Sequence, residues 1–381
     1  MKILFFDVSG KGGIAHHIFM MCHALAEKGA EIRLVTTRDN ELDLSQAKFG
    51  CRAVLNPHHH KRGMINKGIT YLFSLVRFLR CVIEENPDIV HIHEPKIPFL
   101  EYLLIAYLHQ KHIKVVCSVH DILPQEKGEV TRSLKKLYPS FDCLIVHTED
   151  SHRTLKRLFH LPQQKIRVIP VGEYSSMSEK AQNKHAAREA LNILPDRRVL
   201  LFFGYIRKYK GLLDLLEALS IVRKAVPKVF LIIAGQPKED FKIYKEAIAK
   251  WGIEDMVFSD IRYIPLKAVS TYFSAADLVV LPYTNIYQSG IVYLAFAYKK
   301  PVIVTNVGGL PEVVEEGKSG YIVPPGRPEK LAQAIACAFS DIPKLERMGR
   351  YAFRNAKEKY AWKHIAESTL RAYRDIMTHK A

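Results

Sequence analysis

From end to end the chain alternates short apolar runs with longer segments of helical period, and that order leaves little choice of architecture. Parallel strands need long crossovers, usually helices, so β–α–β–α reads as a parallel sheet covered on both faces. Lys2–Val8 is nearly all apolar and reads as a strand buried on both faces. Ile14–Lys28 follows as a helix and Glu31–Thr36 as the next strand. Further buried strands are read at Ile89–Ile92, Val115–Val119, Cys143–Val146 and Ile166–Pro170. Tyr174–His185 is polar and without period, and reads as a linker. A second series then begins, with strands at Arg198–Phe203, Val229–Ala234, Leu278–Leu281 and Val302–Val304 and a helix at Leu212–Lys224. From Pro328 onward the pattern is helical. A chain of 381 residues suits two domains. The expected fold is α/β, with two Rossmann-like doubly wound parallel-sheet domains facing each other across a cleft. Ligands of such sheets lie at the C-terminal ends of the strands.

Composition narrows the partners. Lys and Arg exceed Asp and Glu by a formal net charge of +17, which calls for something anionic: nucleotide phosphates, a phosphorylated acceptor, an anionic membrane face or nucleic acid. The six cysteines are scattered without a CxxC pair, which argues against a zinc cluster or disulfide framework and fits a reducing cytosol. The apolar run Ile3–Phe6 is cut off by Asp7, too short for a secretory core segment, and no stretch approaches a membrane span. A cytoplasmic location is expected, with attachment to the cytoplasmic membrane face as an option.

Both series open on a strand, a glycine loop and a helix. The first has Ser9-Gly10-Lys11-Gly12-Gly13. Glycines let the backbone approach a ligand, and a helix start offers free N–H groups and the positive end of its dipole, which suits a phosphate. Gly10, Gly12 and Ala15 also satisfy G-x-G-x-x-A, so a dinucleotide cofactor or a plain tight turn are competing readings; the acid expected after the second strand is replaced by Thr36-Thr37-Arg38, with Asp39 late. The second opening, Phe203-Gly204-Tyr205-Ile206-Arg207-Lys208-Tyr209-Lys210-Gly211, carries three cations. Arg207 and Lys210, three apart in a turn entering a helix, can point to one side and neutralise a diphosphate leaving group.

Later blocks complete a pattern: Ala276-Asp277-Leu278-Val279-Val280-Leu281-Pro282-Tyr283, then Gln288-Ser289-Gly290-Ile291, then Pro301-Val302-Ile303-Val304-Thr305-Asn306-Val307-Gly308-Gly309-Leu310-Pro311-Glu312, and Gly320-Tyr321-Ile322-Val323-Pro324-Pro325-Gly326. Together with Ile169-Pro170-Val171-Gly172 and Ser118-Val119-His120-Asp121, they resemble family 4 of the retaining GT-B glycosyltransferases across the whole chain. The resemblance implies a GT-B fold with an acceptor-side domain at 1–175, a nucleotide-sugar domain at 186–355 and a C-terminal helix, 356–381, crossing back to the first domain. It implies that Arg207 and Lys210 hold the donor pyrophosphate, with Gly204 beside them and Gln288, Ser289, Gly290 and Ile291 at a helix start. Gly12 and Gly13 would close over the phosphates, and His120 would sit beside the transferred sugar. Neither cofactor nor metal is implied, since Arg207 and Lys210 do the charge neutralisation. The donor would be a nucleotide-diphosphate sugar, UDP favoured, and the acceptor a saccharide or lipid-linked saccharide for surface glycan synthesis; nucleic acid is not an expected partner. One departure stands out. The family typically places two glutamates around the donor loop, whereas no carboxylate occurs between Asp277 and Glu312. Sugar and ribose contacts would fall to Asn285, Gln288 or the backbone; Asp121 and Glu312 are the nearby acidic candidates. Rival readings are another GT-B activity, such as a sugar-nucleotide epimerase or a phosphorylase, and a non-catalytic basic binding protein.

Between Asp43 and Glu84 no acid occurs, while seven Lys and Arg do. Within it Ile65–Ile83 reads as a helix with two apolar stripes. Ile69, Leu72, Phe73, Val76 and Ile83 are expected to face the sheet, and Tyr71, Leu75, Phe78 and Val82 to form the second stripe, resting on an anionic membrane or, alternatively, buried or in a dimer contact. His58-His59-His60 reads as an exposed loop with a weak claim to a metal, and His93 as an acceptor contact or a packing residue.

Overall fold

A computed structural model describes residues 1–57, 64–123, 128–178 and 181–378; His58-His59-His60 lie outside the described residues. The chain divides into two compact units, Met1–Gly172 with Ala361–Ala381, and Glu173–Tyr360.

The first unit runs β1 (Lys2–Phe6), α1 (Gly12–Glu27), β2 (Glu31–Thr37), β3 (Gly50–Leu55), α2 (Met64–Glu85), β4 (Ile89–His93), α3 (Pro98–Gln110), β5 (Lys114–Ser118), α4 (Arg132–Ser140), β6 (Cys143–Val146), α5 (Glu149–Phe159) and β7 (Ile166–Val168). Its seven strands are parallel, in the order β3-β2-β1-β4-β5-β6-β7, so the winding reverses between β1 and β4. Ile3, Leu4, Phe5 and Phe6 are all buried because helices cover both faces of this central strand. The segment from Ala361 completes the unit. Its last described helix packs Ile365, Leu370 and Tyr373 into the core formed by β1, β2 and α1. Gly172 passes so close to Trp362 that an added Cβ would lie 2.5 Å from the indole.

The second unit runs α6 (Ser175–Ser178), α7 (Lys184–Ala190), β8 (Arg198–Phe203), α8 (Leu212–Val222), β9 (Val229–Ala234), α9 (Lys242–Trp251), β10 (Val257–Asp260), α10 (Leu266–Ala275), β11 (Leu278–Leu281), α11 (Gly290–Ala297), β12 (Val302–Thr305), α12 (Leu310–Val313), β13 (Gly320–Val323), α13 (Pro328–Ser340) and α14 (Ile342–Lys359). The remaining helix, α15 (Trp362–Thr378), belongs to the first unit. The second sheet is also parallel, ordered β10-β9-β8-β11-β12-β13, and reverses between β8 and β11.

Two expectations need correction. Tyr174–His185 is not a bare linker. Tyr174 is buried, α6 follows it, and Tyr298 Oη donates to the Met177 carbonyl at 2.8 Å, so one buried ring and one backbone carbonyl tie the stretch into the second unit. The two stripes of α2 are interchanged. Tyr71, Leu75, Phe78 and Val82 are buried, while Ile69, Leu72, Phe73, Val76 and Ile83 are exposed. The reason lies in the polar atoms. Tyr71 can be buried because its hydroxyl bonds the Glu101 carboxylate, and Ser74 because its hydroxyl bonds Thr70 O and Asn56 N. Phe78 then stacks on Phe6, 4.2 Å between ring centres, a burial worth about 2–3 kcal/mol.

Candidate active site

In the first unit the groups of interest stand where β1, β4, β5 and β6 end. Directly after β1, Asp7 is buried and its carboxylate accepts from Ser9 N (2.9 Å), Ser9 Oγ (2.5 Å), Gly10 N (3.2 Å) and Thr36 Oγ1 (2.8 Å). This one side chain therefore shapes the glycine loop. Asp39, the late acid, is held instead by Lys11 at 2.8 Å. α1 then starts at Gly12 and Gly13 with no side-chain cap and no acid in its first turn. Its leading N–H groups keep the positive end of the helix undiluted, as an anion requires.

His120 follows β5 and is only 5% exposed, inside a group of imidazoles. Its Nε2 lies 3.2 Å from His93 Nδ1, so one of the two carries the shared proton. His147, after β6, stacks at 4.7 Å from His120, and His17 of α1 meets both edge-on at 5.7 and 5.5 Å. Trp362 closes the group, 5.3 Å from His17. Behind it, His91 is fixed by Tyr373 Oη at 2.5 Å and Ser118 Oγ at 2.9 Å. Burial, then mutual repulsion, holds His17, His93 and His120 well below the ordinary histidine range; burial lowers His147 to about 4 and His91 to about 3. At neutral pH these are neutral rings that can donate at one nitrogen and accept at the other. Asp121, next to His120, is exposed.

The second unit places charge at the equivalent edge. β8 leads into Gly204, whose φ of +100° turns the chain sharply. Arg207, half-buried, heads a short 3-10 turn, Lys208–Lys210, and Gly211 ends it. Gly211 has φ +65° and sits against the Pro282 carbonyl, where an added Cβ would fall at 1.9 Å. Thr284 N donates to Tyr209 O at 2.7 Å, which sews this turn to the loop after β11. Lys210 folds back so that its Nζ lies 3.4 Å from where a Gly204 side chain would begin and 5.4 Å from the centre of the buried Tyr283 ring. Ile291 Cδ1 approaches the same point to 3.7 Å. Gly204, Lys210 and the start of α11 thus meet at the reversal between β8 and β11, the place where doubly wound sheets take ligands. α11 begins at Gly290, with Ser289 before it, no side-chain cap and no acid in its first turn. Ser289 bonds the Tyr283 hydroxyl. Gln288 is half-buried in this loop and Asn285 is exposed. Gly309 N donates to Tyr287 O at 3.1 Å, which gives the Gly308-Gly309 motif its task of holding the loop. Glu312 is exposed in the first turn of α12.

Residues 183–355 match the model for glycosyl transferases group 1, and residues 11–172 the model for glycosyltransferase family 4; together they span most of the chain. The chain belongs to the group 1 glycosyltransferases. A glycosyltransferase of Methanocaldococcus jannaschii is 24% identical over 96% of this chain and 95% of its own. The D-inositol 3-phosphate glycosyltransferase of Corynebacterium diphtheriae is 25% identical over 96% of this chain and 90% of its own. Anabaena HepE, solved in complex with UDP, has a TM-score of 0.77 at 19% identity, covering 98% of this chain and 100% of that one. Sucrose-phosphate synthase of Thermosynechococcus elongatus has a TM-score of 0.76 at 18% identity, covering 99% of each. This glycosyltransferase therefore has the GT-B fold, two Rossmann-like parallel-sheet domains.

Sequence reasoning missed Asp7, His17, His147, Tyr283 and Trp362. Two signals were available. A lone carboxylate closing an otherwise apolar strand needs partners. Three strands also end on the same note, Ile92-His93, Val119-His120 and Val146-His147.

Proposed function

We propose that this glycosyltransferase moves a sugar, with retention of anomeric configuration, from a UDP-sugar to a saccharide or lipid-linked saccharide at an anionic membrane face. The convergence of Lys210 and Gly204 on the start of α11 carries the reading. In it, Arg207 and Lys210 hold the diphosphate, and the backbone N–H groups of Ser289, Gly290 and Ile291 complete the cradle. Negative charge grows on the diphosphate as the bond to the sugar breaks, so fixed cations and amides there stabilise the transition state more than the ground state. The leaving diphosphate helps deprotonate the acceptor hydroxyl on the same face, without a second carboxylate. Gly12 and Gly13 contribute amides to the phosphates. His120, neutral and oriented by His93, bonds a hydroxyl of the transferred sugar. With no carboxylate in the donor loop, Gln288 and backbone groups read the ribose and sugar.

A thermal-shift screen of UDP-, GDP-, ADP- and dTDP-sugars tests the donor. UDP-sugars should raise Tm most, and Lys210→Ala should abolish the shift. A nucleotide shift that survives Lys210→Ala would overturn the site; an inverted product anomer in NMR would overturn retention.

The membrane part rests on the exposed face of α2, Ile69, Leu72, Phe73, Val76 and Ile83, with Arg80 exposed beside it. α3, joined to α2 by the Tyr71–Glu101 hydrogen bond, adds Phe99 and Leu103. Apolar insertion and attraction to anionic lipid add on such a surface. Among the described residues no helix is long and apolar enough to cross a membrane. Flotation with phosphatidylglycerol vesicles should recover the protein at low salt, and Phe73→Glu should lose it without loss of Tm. Failure of the wild type to float would remove this element.

A further inference from the structure

Among the described residues, the non-glycine positions with a left-handed backbone are Asn86, Glu94, His112, His160, Asn192 and Lys299. All but one come within two residues of the end of a helix, where that conformation is an ordinary way to stop. Glu94 is the exception. It follows strand β4 directly, with φ +53°, and it precedes Pro95. Its own Cβ opposes that angle, and a following proline ring restricts the residue before it to extended backbone. Such a conformation lasts only where its surroundings impose it, and residues so held gather at functional sites.

The surroundings are specific. Glu94 N donates to Ser118 O, at the end of β5, at 3.4 Å. Further along, Lys96 N and Ile97 N donate to the Glu101 carboxylate at 2.6 and 3.0 Å. Glu101 lies in the first turn of α3, is fully buried, and takes another bond from the Tyr71 hydroxyl. A buried carboxylate is costly, and this one is spent on holding a single turn. That turn leaves Glu94 Oε2 at 2.7 Å from Lys96 Nζ, with the side chains 19% and 32% exposed, so the pair is held and still open to a ligand. Desolvation works against the Lys96 ammonium, but Glu94, then Asp121 and Asp7, outweigh it and hold it above the ordinary lysine range. The pair thus stands among the ends of β1, β4 and β5, next to His93, whose Nδ1 lies 3.2 Å from His120 Nε2.

We propose that Glu94 and Lys96 bind the acceptor, reading neighbouring hydroxyls of an uncharged sugar. This assignment rests on the transfer reading above, in which His120 stands beside the transferred sugar. The carboxylate accepts from one hydroxyl while the ammonium beside it donates to the next, a demand that a vicinal diol meets and a lone hydroxyl does not. Charge sets the second condition. Asp7, Glu94 and Asp121 gather around the ammonium of Lys96, so a phosphate close to the reacting hydroxyl would meet net negative charge.

The test uses the full chain saturated with UDP. The probes are the methyl α-glycosides of glucose, mannose and galactose, each beside the 6-phosphate of the same sugar, followed by saturation-transfer NMR. At least one neutral glycoside should bind saturably, and its 6-phosphate counterpart much more weakly. E94Q should weaken the glycoside by about tenfold or more, as for a lost hydrogen bond to a charged group, and leave UDP affinity by calorimetry unchanged. Glu94→Gly separates function from fold: glycine takes φ +53° without strain, so Tm should hold or rise while glycoside binding is lost. Glycoside binding that is absent, or unchanged in E94Q and Glu94→Gly, overturns the assignment. So does a glycoside loss that comes with an equal loss of UDP affinity, or with a fall in Tm in Glu94→Gly. A 6-phosphate that binds as tightly as its glycoside overturns the choice of an uncharged sugar. Failure of the wild type to bind UDP refutes the donor reading, and the glycoside titration, run without UDP, then decides Glu94 by itself.

Discussion

The two units share one plan and furnish it differently. Each winds outward from a central strand, reverses once, and at that reversal starts a helix on glycine with neither cap nor first-turn acid. At the edge of the first sheet stand neutral imidazoles packed on one another; at the edge of the second stand Lys210 and Arg207 among tyrosines and backbone amides. The same backbone device thus serves an uncharged, hydrogen-bonding surface in one half and a cationic one in the other. The strand ends, and not the fold, divide the labour.

The largest contrast should appear in acid. A histidine lowered in the folded state binds its proton more readily once unfolded, so stability is intact above the ordinary value near 6.5 and is lost as pH falls towards the folded values. For His16 and His147 the window runs from 6.5 to about 4, and for His91 to about 3; His17, His93 and His120 shift the same way. Each such group removes up to about 1.4 kcal/mol per pH unit. The second unit has one histidine, His185, and it is exposed. Trp362 reports on the first unit and Trp251 on the second, and these are the two tryptophans of the chain. In Trp251→Phe and Trp362→Phe variants, urea midpoints at pH 7 and pH 5 should fall further for the Trp362 signal. Equal falls would break the contrast.

Next in size is Lys210→Ala, expected to lower kcat/KM by about 10²–10³, some 2.7–4 kcal/mol, as for removal of a charge stabiliser in a transition state. His120→Ala should cost less, about 5- to 100-fold from one lost hydrogen bond of about 1–3 kcal/mol, and should leave UDP affinity unchanged. That division, phosphate affinity on one side and turnover on the other, is what kinetics with UDP as inhibitor would sharpen. Ser289→Ala is the smallest: below about tenfold, because backbone amides remain and a single neutral hydroxyl contributes about 1 kcal/mol.

Much of the fold was legible because buried parallel strands announce themselves. Arg198–Phe203, Val229–Ala234, Leu278–Leu281 and Cys143–Val146 were read at the bounds the structure has. β3, β10 and β13, three of the four edge strands, were not, since their half-covered faces carry polar residues; Arg52 of β3 points at Glu84 and Glu85 and breaks the apolar run. The inner face of α2 was inverted because periodicity finds two stripes and cannot tell which one owns polar partners such as Glu101. In the site, the residues that sequence singles out are those adjacent to glycine or cation motifs. Those assembled from distant segments were not singled out: His17, His147 and Trp362 come from three parts of the chain, and of their meeting the sequence shows only the repeated histidine where β4, β5 and β6 end.

Because the first unit draws its last helix from beyond Tyr360, it cannot be finished when its own strands leave the ribosome. His17 waits for Trp362, and His91 for Tyr373, until the whole of the other unit has been synthesised. The half made first is therefore completed last, and a premature stop between residues 172 and 361 leaves an open flank of histidine and apolar side chains exposed to the cell.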